Sequence, residues 1–167
     1  QAGAGRVVAV TGAASGVGRL LVQRLAVLEG SAAPREIVAI DDEFADLRGV
    51  TWRIADVSDP GLVSRLGGVD VLVHTADDRS PQTRPSQRRA HNIRAAQAVL
   101  TAAAASGVTR VILVTSTMVY GATPDNPVPL AEDAPRVSDN SEGLMGDFAE
   151  IEALAERARR AHPSLTV

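Results

Sequence analysis

The chain of 167 residues has no cysteine and no lysine, and only four of its residues are aromatic. The absence of cysteine excludes disulfides, thiolate nucleophiles and cysteine-bound zinc. The absence of lysine makes all 17 basic residues arginines, and it excludes from this chain every mechanism that needs a lysine ammonium. Tyr120 is the single tyrosine, so proton transfer through a phenol has one candidate in the sequence.

The charge balance excludes further classes of function. The chain has 17 basic and 20 acidic residues and a net charge of -3, which argues against a nucleic-acid-binding surface. No apolar run approaches the roughly 20 residues that span a bilayer, and the first residues, Gln1–Gly5, do not resemble a signal peptide. With 45% apolar and 22% charged residues, we expect a globular, cytoplasmic protein that binds neither nucleic acid nor membrane.

Short β-branched runs alternate along the chain with segments of helical periodicity. This alternation is typical of βαβ units with right-handed crossovers and a parallel sheet. We therefore predict an α/β fold, a Rossmann-type doubly wound parallel sheet with three α/β/α layers, over residues 1–167. The predicted strands are Arg6–Thr11, Glu36–Ile40, Val50–Ala55, Val69–His74 and Thr109–Thr115, and the predicted helices are Val17–Leu28, Asp59–Leu66, Ser86–Ser106 and Asp147–Ala161.

Two segments near the end of the chain bear on its organisation. Residues Gly121–Ser141 are rich in Pro, Asp and Asn and predict a long loop, which in a compact domain is usually functional or mobile. Leu165–Val167 has the pattern of an opening sixth strand. We expect the chain to be the nucleotide-binding part of a longer protein, with a substrate-binding part beyond Val167.

A glycine-rich segment, Thr11–Gly18, joins the first predicted strand to the first predicted helix. Gly12 would allow the tight turn, Gly16 would let the backbone approach a pyrophosphate, and Gly18 would allow close packing of helix on strand. The helix N-terminus would offer N–H groups to the anion. Such glycines often form only a turn, but the strand before and the helix after them match a dinucleotide-binding fingerprint.

The cofactor prediction depends most on Asp41. It follows the second predicted strand at about the 20-residue spacing that the fingerprint requires. A carboxylate there would accept hydrogen bonds from the adenosine ribose hydroxyls and repel a 2′-phosphate. We therefore predict NAD, with NADP disfavoured. The alternative is that Asp41 and Asp42 form only a solvated strand end.

Further motifs resemble those of the short-chain dehydrogenase/reductase superfamily, in particular its extended branch of nucleotide-sugar epimerases and dehydratases. The motifs are Thr11–Gly18, Asp56-Val57, His74-Thr75-Ala76, Asn92 and Val114–Gly121. They extend over most of the chain but represent only the nucleotide-binding half of such a protein. The resemblance implies an NAD-dependent epimerase, dehydratase or oxidoreductase domain that acts on a small molecule, a nucleotide sugar or similar polar alcohol.

The resemblance also implies roles for single residues. Asp56 would bind the adenine amino group and Val57 the adenine ring, Thr75 and Ala76 would line the cofactor, and Arg79 would lie near the nicotinamide ribose and phosphate. Asp56 as a cap for the following helix and Arg79 as a surface charge are the alternatives. The complete set of expected cofactor-binding residues is Gly12, Ala14, Ser15, Gly16, Val17, Gly18, Asp41, Asp56, Val57, Thr75, Ala76, Arg79, Asn92 and Thr115.

For catalysis, the resemblance implies that Ser116 orients a substrate hydroxyl and that a Tyr-x-x-x-Lys pair on the next helix moves the proton. The lysine would lower the tyrosine pKa from its usual value of about 10. Alignment on Glu152 places the pair at Leu144 and Phe148, so neither residue of the pair is present. Ser116 could instead simply close the strand.

Three interpretations follow from the missing pair. The protein could use another acid or base, with Tyr120, Asp147 and Glu150 as candidates, although Tyr120 fits a packed strand end better. It could be a redox-neutral or weakly active relative that binds NAD. It could also be a non-catalytic sensor or scaffold that keeps only the dinucleotide pocket. We expect no metal site, because the three histidines lie far apart in sequence without ligand spacing.

Two predicted helices carry small apolar faces that suggest a homodimer. By the resemblance, the long helix and the last helix would form a four-helix bundle with those of a second copy. The faces consist of Ala95, Ala96, Val99, Leu100 and Ala103 on the long helix and of Ile151, Leu154 and Ala158 on the last helix.

Overall fold

The computed structural model describes residues 5–136 and 143–167. In these residues, five strands form one parallel sheet in the order β3-β2-β1-β4-β5. The strands are β1 (Val7–Thr11), β2 (Glu36–Asp41), β3 (Thr51–Ile54), β4 (Val71–His74) and β5 (Arg110–Leu113), and the α-helices are α1 (Gly16–Leu25), α2 (Leu62–Arg65), α3 (Pro85–Ser106) and α4 (Gly143–Ala161). Short 3-10 helices lie at Gly30–Ala32 and Thr117–Tyr120.

Strand β1 lies at the centre of the sheet and contributes to a core on each face. Val7 and Ala9 pack in the core that contains Val99 of α3, whereas Val10 packs with Val22 of α1 on the opposite face. An apolar run that serves two cores is typical of a buried parallel strand. Two cores on opposite faces of one sheet make three layers, so the predicted Rossmann-type α/β fold is confirmed.

The strand order changes direction between β1 and β4. Thr11 at the end of β1 is opposite Ile40 of β2 on one side and His74 of β4 on the other. In doubly wound sheets, the crevice beyond the carboxyl ends of the strands at such a switch point is where ligands bind. A ligand site is therefore expected at the loops that follow these strands.

The observed elements differ from the predicted ones mainly at their ends. Strand β5 ends at Leu113, because the chain turns into the 3-10 helix Thr117–Tyr120. Helix α4 begins at Gly143, earlier than predicted, and the predicted sixth strand is reduced to one parallel bridge between Thr166 and Arg110.

The long predicted loop has neither helix nor strand over residues 121–136, and its remainder lies outside the described residues. Among the described helices, none is both long and apolar enough to cross a membrane.

The helix faces predicted to form a dimer are used inside the chain. The five named residues of α3 are at most 5% exposed. Ile151 is buried against Ala96, while Leu154 and Ala158 pack on the core that includes Val99. The five residues of α3 and Ile151 are therefore not accessible to a second copy, whereas Leu154 and Ala158 are only partly buried. Homodimerisation itself stays a prediction.

Candidate cofactor-binding cleft

A cleft of about 470 Å³ lies at the carboxyl ends of the strands, where the strand order changes direction. The glycine loop and the segments after β2, β3, β4 and β5 line it. The lining residues that the sequence predicted are Gly12, Ser15, Gly16, Val17, Asp41, Asp56, Val57, Thr75, Ala76 and Arg79. The lining residues that were not predicted from the sequence are Asp42, Ala55, Asp77, Asp78, His91 and Val114.

The glycine loop packs tightly at two positions and is open at a third. A Cβ on Gly12 would lie 2.9 Å from the backbone of Ala76, and a Cβ on Gly18 would lie 2.1 Å from the Gly12 carbonyl oxygen. Gly18 therefore packs α1 directly on the end of β1 and does not line the cleft. Gly16 has a φ of 51° and no atom within 4 Å of the position of a Cβ, so the backbone there is accessible from the cleft.

The N-terminus of α1 lacks a capping side chain. Ser15 is the N-cap residue and its hydroxyl makes no capping bond, and the first turn has no acidic residue. The first N–H groups of an α-helix have no partner within the helix, and together with the helix dipole they favour an anion. This end of the cleft can therefore bind a phosphate through backbone groups.

Asp41, at the end of β2, is bonded to the glycine loop. Its Oδ2 accepts a hydrogen bond from the Ala14 N–H at 2.8 Å, and its Oδ1 accepts one from the Asp42 N–H at 2.9 Å. Burial raises the pKa of Asp41, and the hydrogen bond from Ala14 opposes that rise. Ala14 thus holds the Asp41 carboxylate in place but does not itself line the cleft. The sequence could not distinguish this supporting role from direct contact with a cofactor.

At the end of β3, Asp56 lines the cleft and also closes a turn. Its Oδ1 accepts hydrogen bonds from both the N–H and the hydroxyl of Ser58, each at 2.8 Å. These bonds lower the pKa of Asp56, so the carboxylate is charged at neutral pH. The alternative considered from the sequence, a cap for the following helix, is wrong, because α2 begins at Leu62 with Gly61 as its N-cap. Asp56 instead closes a turn at the cleft.

Buried polar side chains lie at the end of β4, where Asp77 borders the cleft. His74 Nδ1 is 2.8 Å from the hydroxyl of Thr11, and His74 Nε2 is 3.6 Å from Asp77 Oδ1. These last two atoms are buried and have no hydrogen-bond partner among the described residues. Burial lowers the pKa of His74 to about 4, so its ring is neutral at pH 7, and burial raises the pKa of Asp77.

Arg79 is fixed in position by three neighbours. Its Nη2 donates to the Val114 carbonyl oxygen at 3.0 Å and lies 3.4 Å from Asp77 Oδ2. Its guanidinium carbon is 4.8 Å from the centre of the Phe148 ring, a cation–π distance. The side chain is still 43% exposed and lines the cleft, so its charge is accessible to a ligand.

Asn92 of α3 organises the loop after β4 and does not line the cleft. Its Oδ1 accepts a hydrogen bond from the Asp78 N–H at 2.8 Å, and its Nδ2 donates to the Asp78 carbonyl oxygen at 3.0 Å. The buried amide therefore fixes the segment that carries Asp77 and Arg79.

The three hydroxyls predicted after β5 lie outside the cleft lining. Thr115 donates to Glu152 at 2.9 Å and lines a separate groove between β5 and α4. The Ser116 hydroxyl caps the following 3-10 helix by accepting a backbone N–H. Tyr120 donates to the Glu132 carbonyl oxygen at 2.9 Å. All three hydroxyls thus bond within the chain, and the roles predicted for them stay predictions.

The first part of α4 is apolar where the resemblance places the proton-transfer pair. Leu144 is half-buried, and Phe148 is 1% exposed in a core with Ile151. The Phe148 ring lies against the guanidinium of Arg79. The described part of α4 therefore places an aromatic ring beside Arg79 at the position that the resemblance gives to the lysine.

The two carboxylates of α4 that were candidate acids or bases are engaged in ion pairs. Asp147 is 1% exposed and lies 3.1 Å from Arg88 Nε and 3.4 Å from Arg89 Nη1. Glu150 Oε1 lies 2.7 Å from Arg157 Nη2. Neither lines the cleft, so neither is placed to serve a ligand bound there.

The charge of the cleft is predominantly negative. Its carboxylates are those of Asp41, Asp42, Asp56, Asp77 and Asp78, and its basic side chains are Arg79 and His91. Among the described residues, no group of three or more acidic or histidine side chains is arranged to hold a metal ion.

Residues 8–142 match the model of the NAD dependent epimerase/dehydratase family. Uncharacterized protein Rv0501 of Mycobacterium tuberculosis (strain ATCC 25618 / H37Rv) is 30% identical over 97% of this chain and 45% of its own length. The chain thus spans about half the length of the curated relatives it matches.

Solved structures match the fold over the same extent. Mutated Uronate Dehydrogenase superposes with a TM-score of 0.77 at 25% identity, over 96% of this chain and 56% of that protein. MoeE5 in complex with UDP-glucose and NAD superposes with a TM-score of 0.71 at 27% identity, over 95% and 50%. Because the family model covers most of the sequence, this chain belongs to the NAD-dependent epimerase/dehydratase family.

Proposed function

We propose that the chain is the NAD-binding part of an epimerase- or dehydratase-like protein whose substrate is a nucleotide sugar or a similar polar alcohol. The observation that carries the proposal is the single cleft that combines the open glycine loop, Asp41 and Arg79. The substrate class is supported by the structural relative that holds UDP-glucose and NAD.

The residues of the cleft fit the parts of a dinucleotide. The uncapped start of α1 and the space beside Gly16 would hold the pyrophosphate. Asp41 would accept the adenosine ribose hydroxyls, Asp56 would bind adenine, and Arg79 would bind the phosphate or ribose on the nicotinamide side. NAD, when bound, supplies reversible acceptance of a hydride.

The adenosine side of the cleft favours NAD over NADP. Asp41 and Asp42 place two carboxylates after β2, and Arg79, the arginine that lines the cleft, follows β4. A 2′-phosphate beside Asp41 would add negative charge next to these two carboxylates. The arginine of the described cleft lining is on the β4 side and would not neutralise that charge. Coulomb repulsion should therefore weaken NADP binding.

A second candidate function is NAD binding without hydride transfer, as in a sensor or scaffold. The engaged Asp147 and the apolar Phe148 favour it, because neither can move a proton at the cleft. For either candidate, this chain binds and orients the cofactor through the loop after β1 and the segment that Asn92 fixes.

Calorimetry of NAD binding to the chain and to Gly16→Val tests the site. The valine side chain would occupy the open approach at Gly16, so we expect at least a hundredfold loss of affinity. Gly107→Val is the matched control, because Gly107 also has a positive φ and no atom within 4 Å of a Cβ but ends α3 outside the cleft. Equal NAD affinity in both variants would show that the dinucleotide does not bind at this loop.

A further inference from the structure

The cleft has carboxylates on both sides of the switch point. Asp41 and Asp42 follow β2, and Asp77 and Asp78 follow β4, on the other side of β1. The side chain of Asp77 is only 3% exposed. Its Oδ1 is buried and lacks a hydrogen-bond partner within residues 5–136 and 143–167.

The surroundings of Asp77 do not fully compensate its charge. His74 Nε2 faces Oδ1 at 3.6 Å, which is too long for a hydrogen bond, and the neutral ring supplies no charge. Arg79 lies 3.4 Å from Oδ2, but the same Nη2 donates to Val114 at the shorter distance of 3.0 Å. A buried, partly compensated carboxylate is costly to the fold, so packing alone gives no reason for an aspartate here.

The two redox forms of NAD differ by one positive charge. The nicotinamide ring is cationic in NAD+ and neutral in NADH, whereas the pyrophosphate and the adenosine are the same in both. In doubly wound sheets the acidic residue after the second strand holds the adenosine ribose. That leaves the β4 side of the cleft, where Asp77 lies, for the nicotinamide half.

We propose that Asp77 is a specificity-determining residue that makes the cleft prefer NAD+ over NADH. Its partly compensated carboxylate attracts the cationic ring of NAD+ and gives the neutral ring of NADH no such advantage. Asp41 and Asp77 then discriminate separately, Asp41 against the 2′-phosphate and Asp77 against the reduced ring. This inference rests on the NAD site proposed above.

The test is the ratio of the dissociation constant of NADH to that of NAD+, measured by calorimetry for the wild type, Asp77→Asn and Asp42→Asn. We expect the wild type to bind NAD+ more tightly and the ratio to fall about fivefold to tenfold in Asp77→Asn. Asp42→Asn removes a lining carboxylate on the adenosine side, so its ratio should change less than twofold. Asp77→Ser replaces Asp77→Asn if the latter does not fold, as judged by thermal unfolding.

The outcomes separate this inference from the site on which it rests. If NAD+ and NADH bind to the wild type with equal affinity, or if Asp77→Asn and Asp42→Asn change the ratio equally, Asp77 does not select the redox form. If the wild type binds neither dinucleotide, both proposals fail. A wild type that binds NAD+ through Gly16 but shows no effect of Asp77→Asn retains the site and loses only the role of Asp77.

Discussion

The glycine loop and the start of α4 differ in how their polar groups find partners. At the loop, the first N–H groups of α1 have no capping side chain and Gly16 borders open space. At the start of α4, Asp147 is paired with two arginines and Phe148 is packed against Arg79. The glycine loop therefore leaves backbone N–H groups accessible to a ligand, whereas the polar side chains at the start of α4 have partners within the protein.

This difference suggests that cofactor binding and proton transfer are separable in the fold. Substitution of Gly16, where the position of a Cβ is open, should change binding more than stability, whereas a Cβ at Gly12 or Gly18 would collide with backbone. Substitutions at the start of α4 should lower stability with little effect on binding, because Asp147 pairs with arginines of α3 and Phe148 packs against Arg79.

The largest expected effect is on turnover. This chain has no lysine to complete a Tyr–Lys pair, and the loss of general acid–base catalysis typically costs about 10²–10⁴-fold. Supplied with NAD and a panel of nucleotide sugars, the protein should form NADH or epimer slower than typical enzymes by about that factor.

Two variants locate any residual turnover. Ser116→Ala should reduce it more than Tyr120→Phe, because Ser116 comes two residues after Val114, which lines the cleft, whereas the Tyr120 hydroxyl is tied to the Glu132 carbonyl oxygen. Fast turnover that is unaffected by Ser116→Ala would show that the reaction depends on residues other than Ser116 and Tyr120.

Asp147→Ala should cost about 3–5 kcal/mol of unfolding free energy, because it leaves buried Arg88 without its carboxylate partner. Urea denaturation measures the loss. The control is Glu150→Ala, which breaks a pair with the half-exposed Arg157 and should cost about 1 kcal/mol or less. Similar losses in the two variants would contradict the idea that Asp147 anchors α4.

His74 should make stability depend on pH. Its pKa is about 4 in the folded protein against 6.5 in its ordinary environment, so the unfolded chain takes up the proton first as pH falls. The stabilisation is complete above pH 6.5 and is lost towards pH 4, amounting to about 3 kcal/mol. His74→Gln should flatten this part of the curve measured by urea denaturation, whereas the exposed His91→Gln should not.

Asp41→Asn should lower the preference for NAD over NADP about tenfold, because one unit of negative charge beside the adenosine ribose is removed. Calorimetry with both cofactors gives the ratio. Asp56→Asn serves as the control, since Asp56 lies after β3 and is held by Ser58. A preference that persists unchanged in Asp41→Asn would assign cofactor selection to another residue.

Sequence reasoning was most successful where function depends on local geometry. The glycine spacing predicted the turn at Gly12, which has a φ of 72°, and the close packing at Gly18, where a Cβ would lie 2.1 Å from the Gly12 carbonyl oxygen. It was less informative after β5, where Thr115 bonds to Glu152 and Ser116 bonds to the 3-10 helix, so the roles predicted from the motif stay predictions. A motif gives the order of residues along the chain but does not give the direction of each side chain.

Residues outside known motifs were missed for a related reason. Asp77, Asp78 and His91 are ordinary surface residue types, and no spacing marks them as neighbours of the glycine loop. One signal was available: the predicted fourth strand ends at His74, and residues after a strand at a switch point line the crevice. If that rule is applied to every residue from His74 to Arg79, it includes Asp77 and Asp78.

The amino-acid sequence by itself determined the alternating strands and helices, the turn at Gly12 and the absence of a lysine for catalysis. These follow from covalent constraints and from residue types, which need no knowledge of distant contacts. Only the tertiary structure decided that Asp77 lies between His74 and Arg79 and that Phe148 of α4 supports that arginine. Burial and charge compensation depend on which distant segments pack together, and they give these side chains their chemistry.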